Sequence, residues 1–198
     1  MSNLNVLSFR IVGTAPFLMH NGNLADPLDP HAKKMASISS KRRKTEADHA
    51  RLAKLEFRGS LYLRDGKPCI PAEMIEAAIV RGAAQNRRGL KARAGIVVTE
   101  NIPLDYNGPT DPNALWENEA FQLRCPVRVG AIRIMRTRPM FKEWSAKLEV
   151  EFLPNLLNPQ DVQQFLTIAG EQIGIGDWRP RFGRFRVEEL AGQSRRVP

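Results

Sequence analysis

The stretch Ile173–Val187, IGIGDWRPRFGRFRV, constrains this chain more than any other. Gly174, Gly176, Pro180 and Gly183 are interleaved with Arg179, Arg181, Arg184 and Arg186 and with Trp178, Phe182 and Phe185. Pro180 lacks an N–H and pushes the preceding residue out of the helical region, so the segment cannot be a helix. Glycines open backbone conformations closed to other residues and let a phosphate approach the main chain. Arginine forks match phosphate oxygens, and aromatic faces match unstacked bases. Together these residues describe a nucleic-acid-contacting loop that runs into a final strand. A second reading stays open: a tight basic turn with Phe182, Phe185 and even Trp178 in the core.

Charge points the same way. Thirty Lys and Arg against 21 Asp and Glu give a formal net charge of +9 over 198 residues, which suits a polyanionic partner or, equally, an acidic protein. No apolar run approaches the roughly 18 residues of a membrane span, and Asn3 and Asn5 interrupt the first apolar stretch, so no membrane association and a cytoplasmic location are expected. Cys69 and Cys125 lie far apart with no C-x-x-C pair, which suggests neither a disulfide framework nor a zinc site.

Taken in order, Leu4–Met19 reads as a first strand, broken at Gly13 and Pro16. His20–His31, HNGNLADPLDPH, reads as a loop. Ala32–Phe57 has helical spacing, with Thr45 and Asp48 as a helix start, and contains the basic run Lys41, Arg42, Arg43 and Lys44. That run is either a solvated turn or a backbone contact. A hairpin turns at Asp65-Gly66 between Ser60–Leu63 and Lys67–Ile70, and Pro71 opens a helix that fades near Gly89. The basic end of that helix and the next loop hold Arg81, Arg87, Arg88, Lys91 and Arg93. Gly95–Thr99 reads as a short strand, Ile102–Phe121 as a long irregular connection, and Val127–Met135 as one strand. Trp144–Phe152 alternates apolar and polar residues as a half-buried strand should, and Asn158 caps a helix with Pro159 at its first position.

These elements describe an α+β fold: a ferredoxin-like (RRM-like) antiparallel sheet with two packing helices, a helical basic insertion after the first strand and a C-terminal glycine-rich loop. One domain is expected over residues 1–190, with insertions at about 24–58 and 102–124, and a flexible tail over 191–198.

Several stretches together resemble the RAMP superfamily, the ferredoxin-like proteins that include repeating backbone subunits of CRISPR effector complexes. They are GTAPFLMHNG (Gly13–Gly22), GKPCIPAEMIEAAIVRGA (Gly66–Ala83), AGIVVTENIPL, and GIGDWRPRFGRFRV, which is similar to that family's glycine-rich loop. Two departures stand out: Ala72-Glu73 replaces the usual Gly-Ser after Ile-Pro, and Trp178 and Pro180 interrupt the glycine-rich loop.

The resemblance implies single-stranded nucleic-acid binding, with RNA preferred over DNA. It also implies head-to-tail self-association along the strand and contact with other effector-complex subunits, in a CRISPR complex or a stand-alone or phage-type relative. The binding residues expected are Arg179, Arg181, Arg184, Trp178, Gly174 and Gly176 in the loop, with Arg81, Arg87, Arg88 and Lys91 beside it and Lys41–Lys44 in the insertion. The expected protein is not an enzyme and needs no cofactor. The alternative is a metal-dependent endoribonuclease subunit in which Asp26 or Asp29, with His20 and His31 nearby, would hold Mg²⁺. Against it, Asp26-Pro and Asp29-Pro are also plain turn starters. A basic interaction protein for an acidic partner remains the third reading.

Overall fold

A computed structural model describes residues 4–196. In chain order the elements are β1 (Asn5–Gly13), β2 (Phe17–Leu18), α1 (Pro30–Ser39), α2 (Glu46–Ser60), β3 (Leu63–Arg64), β4 (Lys67–Ile70), α3 (Ala72–Gln85), α4 (Gly89–Gly95) and β5 (Ile96–Val97). There follow β6 (Ile102–Pro103), α5 (Pro112–Glu117), β7 (Gln122–Val129), β8 (Ile132–Phe141), β9 (Ser145–Phe152), α6 (Pro159–Ile168) and β10 (Phe185–Arg196). The protein is therefore a mixed α+β chain with antiparallel sheets. It divides into two compact units, where the sequence suggests one domain with insertions. One is built from the segment up to Phe17, Cys69–Asn107 and the chain from Lys142 on; the other from Leu18–Pro68 and Gly108–Phe141. The second unit contains the 24–58 insertion whole and most of the 102–124 one.

The first unit is built on a four-stranded sheet in the order β10-β1-β9-β5, every neighbouring pair antiparallel. The register pairs Leu7 with Val150, Phe9 with Leu148 and Ile11 with Ala146, which puts these buried side chains on one face. The opposite face carries Ser8 and Arg10 beside Glu149 and Lys147, with no aromatic among them. Ile75 and Ile79 of α3 and Val162, Phe165 and Leu166 of α6 are fully buried at helical spacing. The two helices run antiparallel and touch closely at Gly82, where a Cβ would stand 2.3 Å from the Phe165 carbonyl oxygen. Asn158 and Asp161 cap α6 reciprocally, each side chain accepting the other's backbone N–H, with Pro159 at the first position as its sequence demands.

In the second unit α1 and α2 form the expected hairpin, and Thr45 and Asp48 make a capping box at the start of α2. The strand expected over Val127–Met135 is instead a β-hairpin. Gly130, at φ 60°, turns the chain so that Val129 faces Ile132, and the register continues from there to Gln122 opposite Pro139. The alternation does slip there, from Val127 and Val129 to Ile132 and Ile134, and Gly130 sits at the slip; a strand read straight through passes over both signals. Phe57 meets Trp116 edge-on at 5.4 Å, and Phe121 meets Phe141 at 5.7 Å. Across this packing, buried Glu56 of α2 accepts hydrogen bonds from Arg138 Nη1 (2.8 Å), Arg136 Nη1 (3.2 Å) and the Thr137 N–H (2.9 Å) of β8.

Other boundaries move. The helix expected to fade near Gly89 ends at Gln85, and Gly89 opens α4 where a loop is expected. The irregular 102–121 connection holds β6, α5 and a short turn of 3₁₀ helix over Glu119–Phe121. The strand expected over Ser60–Leu63 starts only at Leu63, because α2 runs through Ser60. Residues expected in a flexible tail continue β10, with Arg196 opposite Asn5; Val197 and Pro198 lie outside the described residues. Among the described residues no helix is long and apolar enough to cross a membrane.

Glu56 gives the second unit a sharp test. Glu56→Ala leaves two arginines facing a buried, vacated carboxylate site and is expected to destabilise the protein by about 3–5 kcal/mol in urea unfolding. Glu56→Gln, which keeps an acceptor oxygen, is expected to cost clearly less.

Candidate nucleic-acid interface

The glycine-arginine loop grows out of the C-terminal end of α6, where the helix widens into one π-helical turn over Ala169–Ile173. Gly174 ends it at φ 73°, a left-handed conformation that only glycine reaches without strain. The loop then closes on itself: the Ile175 N–H donates to the Gly183 carbonyl at 2.9 Å, and buried Ile175 anchors the neck. A Cβ on Gly183 would stand 1.7 Å from the Ile175 carbonyl oxygen, and one on Gly174 would stand 2.8 Å from that of Phe182. Gly183 and Gly174 therefore serve the loop's own neck; of the two, Gly174 is expected from sequence among the nucleic-acid-binding residues. Gly176 donates its N–H to Met74 Sδ at the start of α3.

The neck is tied to the bend after β1. The Gly183 N–H donates to Pro16 O at 2.8 Å, and the Thr14 and Ala15 N–H groups donate to Arg184 O at 2.8 and 3.2 Å. The bend is in turn held by Trp144, whose Nε1 donates to Ala15 O at 2.9 Å. Gly13 has no room for a Cβ, which would fall 2.2 Å from that indole nitrogen.

What this neck holds out is Trp178. It is 46% exposed, has a φ of 59° unusual for a bulky residue, and stacks on Phe182 at 5.8 Å with the rings 12° from parallel. Phe185 alone of the loop aromatics is fully buried, in edge contact with Trp144. Arg179, Arg181 and Arg184 of the same loop are all exposed. Backbone strain of this kind, of order 1–3 kcal/mol, persists where surrounding contacts over-determine it and concentrates at ligand sites.

The basic helix end does not join this site. Arg88 makes a two-pronged ion pair with Asp161, its Nη2 at 2.9 Å from Oδ2, and lies over the Phe165 ring at 5.4 Å. This places it at the start of α6, whereas the loop leaves from that helix's other end. Met74, which touches Gly176, sits at the opposite end of α3 from Arg87 and Arg88, and a helix of 14 residues is roughly 21 Å long. Arg88 is thus a structural tie, and the exposed Arg87 and Lys91 stay with it; Arg81 is exposed two turns into α3.

In the second unit, Lys41 pairs with Asp48 at 2.6 Å on the surface, Lys44 Nζ donates to the Lys41 carbonyl, and Arg42 and Arg43 are exposed. The Lys41 ammonium, with the Thr45 N–H, holds the Asp48 carboxyl below its ordinary range. The aspartates singled out for metal chemistry have local work instead. Asp26 Oδ1 accepts the Leu28 N–H at 2.8 Å, and Asp29 Oδ1 caps α1 by accepting the N–H groups of His31 and Ala32. His20 is exposed, and its carbonyl accepts the Tyr62 hydroxyl. Among the described residues no group of three or more His, Cys, Asp or Glu is placed to hold a metal ion.

No model of a known protein family matches the chain, and no characterised protein shows significant similarity to it.

Two clusters escaped the sequence reading: Arg88–Asp161, and Glu56 with Arg136 and Arg138. The second had a visible signal, since Glu56 falls between Leu52, Ala53 and Phe57 on the apolar stripe of α2. The first predicts a pH dependence. The Arg88 guanidinium, foremost, and the Asn158 N–H hold the Asp161 carboxyl below the usual carboxylate range. A lowered folded-state value contributes stability above the unfolded value of about 3.9, which is lost as pH falls through the folded one. Asp161→Asn is therefore expected to cost about 1–3 kcal/mol at neutral pH. Thermal melts should show that gap closing as the pH falls below about 4.

Proposed function

We propose that the protein binds single-stranded nucleic acid through the Trp178 loop, RNA in preference to DNA, as a non-catalytic coating protein. The observation that carries this reading is the exposed, strained Trp178 stacked with Phe182 in a loop that also exposes Arg179, Arg181 and Arg184. Phe182 lies nearly parallel to the indole and offset along it, which helps set the plane on which a base stacks. The arginines follow the backbone of the strand as it leaves that base. The strand preference, and the setting as an effector-complex, stand-alone or phage-type protein, follow from the RAMP resemblance.

The same proposal extends to the fold. The order β10-β1-β9-β5, with α3 between β1 and β5 and α6 between β9 and β10, supports reading this sheet as a ferredoxin-like βαββαβ unit. On an RRM-like surface the bases would stack on strand aromatics; here the central strands offer Ser8, Arg10, Lys147 and Glu149 on the face opposite the apolar core, so the loop is the better platform. An endoribonuclease reading finds less support, because Asp26 and Asp29 each turn one carboxylate oxygen to backbone N–H groups as turn and cap residues do. Copies are proposed to associate head to tail, each covering a few nucleotides of one strand. A heterologous contact of this type does not close on itself.

Affinity for a single-stranded oligonucleotide, measured against salt, tests the loop. Arg179→Ala and Arg181→Ala are each expected to weaken binding and to reduce the salt slope by about one. Trp178→Ala is expected to cost on the order of 1–3 kcal/mol of binding with little change in melting temperature. A large loss of stability with binding retained would make Trp178 a packing residue. Running RNA and DNA of one sequence side by side checks the preference. Light scattering with strands of increasing length checks the assembly, since mass should climb in steps of one subunit.

A further inference from the structure

The second unit contains a cavity of about 480 Å³ between the α1–α2 hairpin and the edge of β8. Its walls are Met35, Leu52, Ala53, Ile134 and Met135. Around them stand Lys44, His49, Arg124, Arg133 and Arg136, against one carboxylate, Glu56, already bonded to Arg136, Arg138 and the Thr137 N–H. The size is that of a small-ligand site, and the charge left over is positive.

One wall is main chain. The Thr137 N–H points away from β7 to Glu56, and the Pro139 carbonyl on the same edge accepts the Met19 N–H. In a strand these directions repeat every second residue, so Met135 and Arg133 turn their N–H and C=O groups to that same edge. Among the described residues no strand pairs with this stretch of the edge. A backbone N–H and C=O from one residue, set in an apolar slot, match the alternating donors and acceptors of a nucleobase edge. Two such residues are too short a run for an added peptide strand. A fatty acid would fit the slot and the arginines but would leave the backbone groups unmatched.

We propose that this cavity binds a nucleoside 5′-phosphate, its base between Met35 or Leu52 and Met135, its phosphate at Arg124, Arg133 and Lys44. The ligand is either a free mononucleotide or the 5′-phosphorylated end of a strand. The site lies in a different unit from the Trp178 loop and does not rest on that loop's function.

Isothermal titration of the full chain with adenosine 5′-monophosphate, and with a trinucleotide carrying either a 5′-phosphate or a 5′-hydroxyl, tests it. Binding of one monophosphate per chain is expected. Arg124→Ala combined with Arg133→Ala should weaken it on the order of ten-fold or more. Both arginines are exposed, so this variant is expected to keep its circular dichroism and melting curve. Ala53→Phe should block the slot, and Arg181→Ala should leave the affinity for the monophosphate unchanged. Monophosphate binding without trinucleotide binding identifies the free nucleotide; a preference for the 5′-phosphorylated trinucleotide, lost in the double variant, identifies the strand end. The proposal is overturned if neither ligand binds up to about 1 mM. It is equally overturned if binding ignores the double variant, is lost in Arg181→Ala instead, or is displaced competitively by a poly-glutamate peptide.

Discussion

The glycine-arginine loop depends on one close backbone crossing, Gly183 over Ile175. A side chain at Gly183 would push the two chains apart, and the hydrogen bond from the Ile175 N–H to the Gly183 carbonyl would be lost with it. That crossing makes the loop a closed neck, and the bonds from Gly183 and to Arg184 fasten the neck to the bend at Thr14–Pro16. The bend is rigid because Gly13 lies against the Trp144 indole, which also bonds Ala15. A chain of contacts thus runs from the core of the sheet, through Trp144, to the exposed ring of Trp178. Such support is what an interaction site needs if its aromatic is to meet a ligand without first being ordered.

The helices solve a separate problem. Gly82 lets α3 approach α6 so closely that both can pack their apolar stripes, and the antiparallel arrangement decides which charges meet. At one end of the pair Met74 reaches the loop; at the other Arg88 neutralises Asp161. Cations near a helix C-terminus suit its dipole without any ligand, which accounts for part of the Arg87–Lys91 cluster. The same economy governs the second unit, where the one acid on the buried stripe of α2 gathers two arginines and an edge N–H of β8. Because that carboxylate is satisfied, the neighbouring cations remain available to the cavity.

Local signals in the sequence determined a good deal. Turn and cap chemistry acts over a few residues, so Asp65-Gly66, Thr45 with Asp48, and Asn158 with Pro159 are all legible before any tertiary contact forms. The alternation of Trp144–Phe152 and the 3.6 period of α6 are likewise written in the chain, as is the non-helical, arginine-lined character of Ile173–Val187. What the tertiary structure alone decided are matters of partner choice over long separations. Arg88 could serve a phosphate or Asp161 until α3 and α6 were set antiparallel, 73 residues apart at that contact. The glycines of the loop could face a ligand or another stretch of backbone until Gly183 was placed on Ile175. Val127–Met135 could be one bulged strand or two, since the slip in alternation at Gly130 fits either until β7 and β8 pair. Burial and charge compensation are properties of pairs, and a sequence states only one member of each pair at a time.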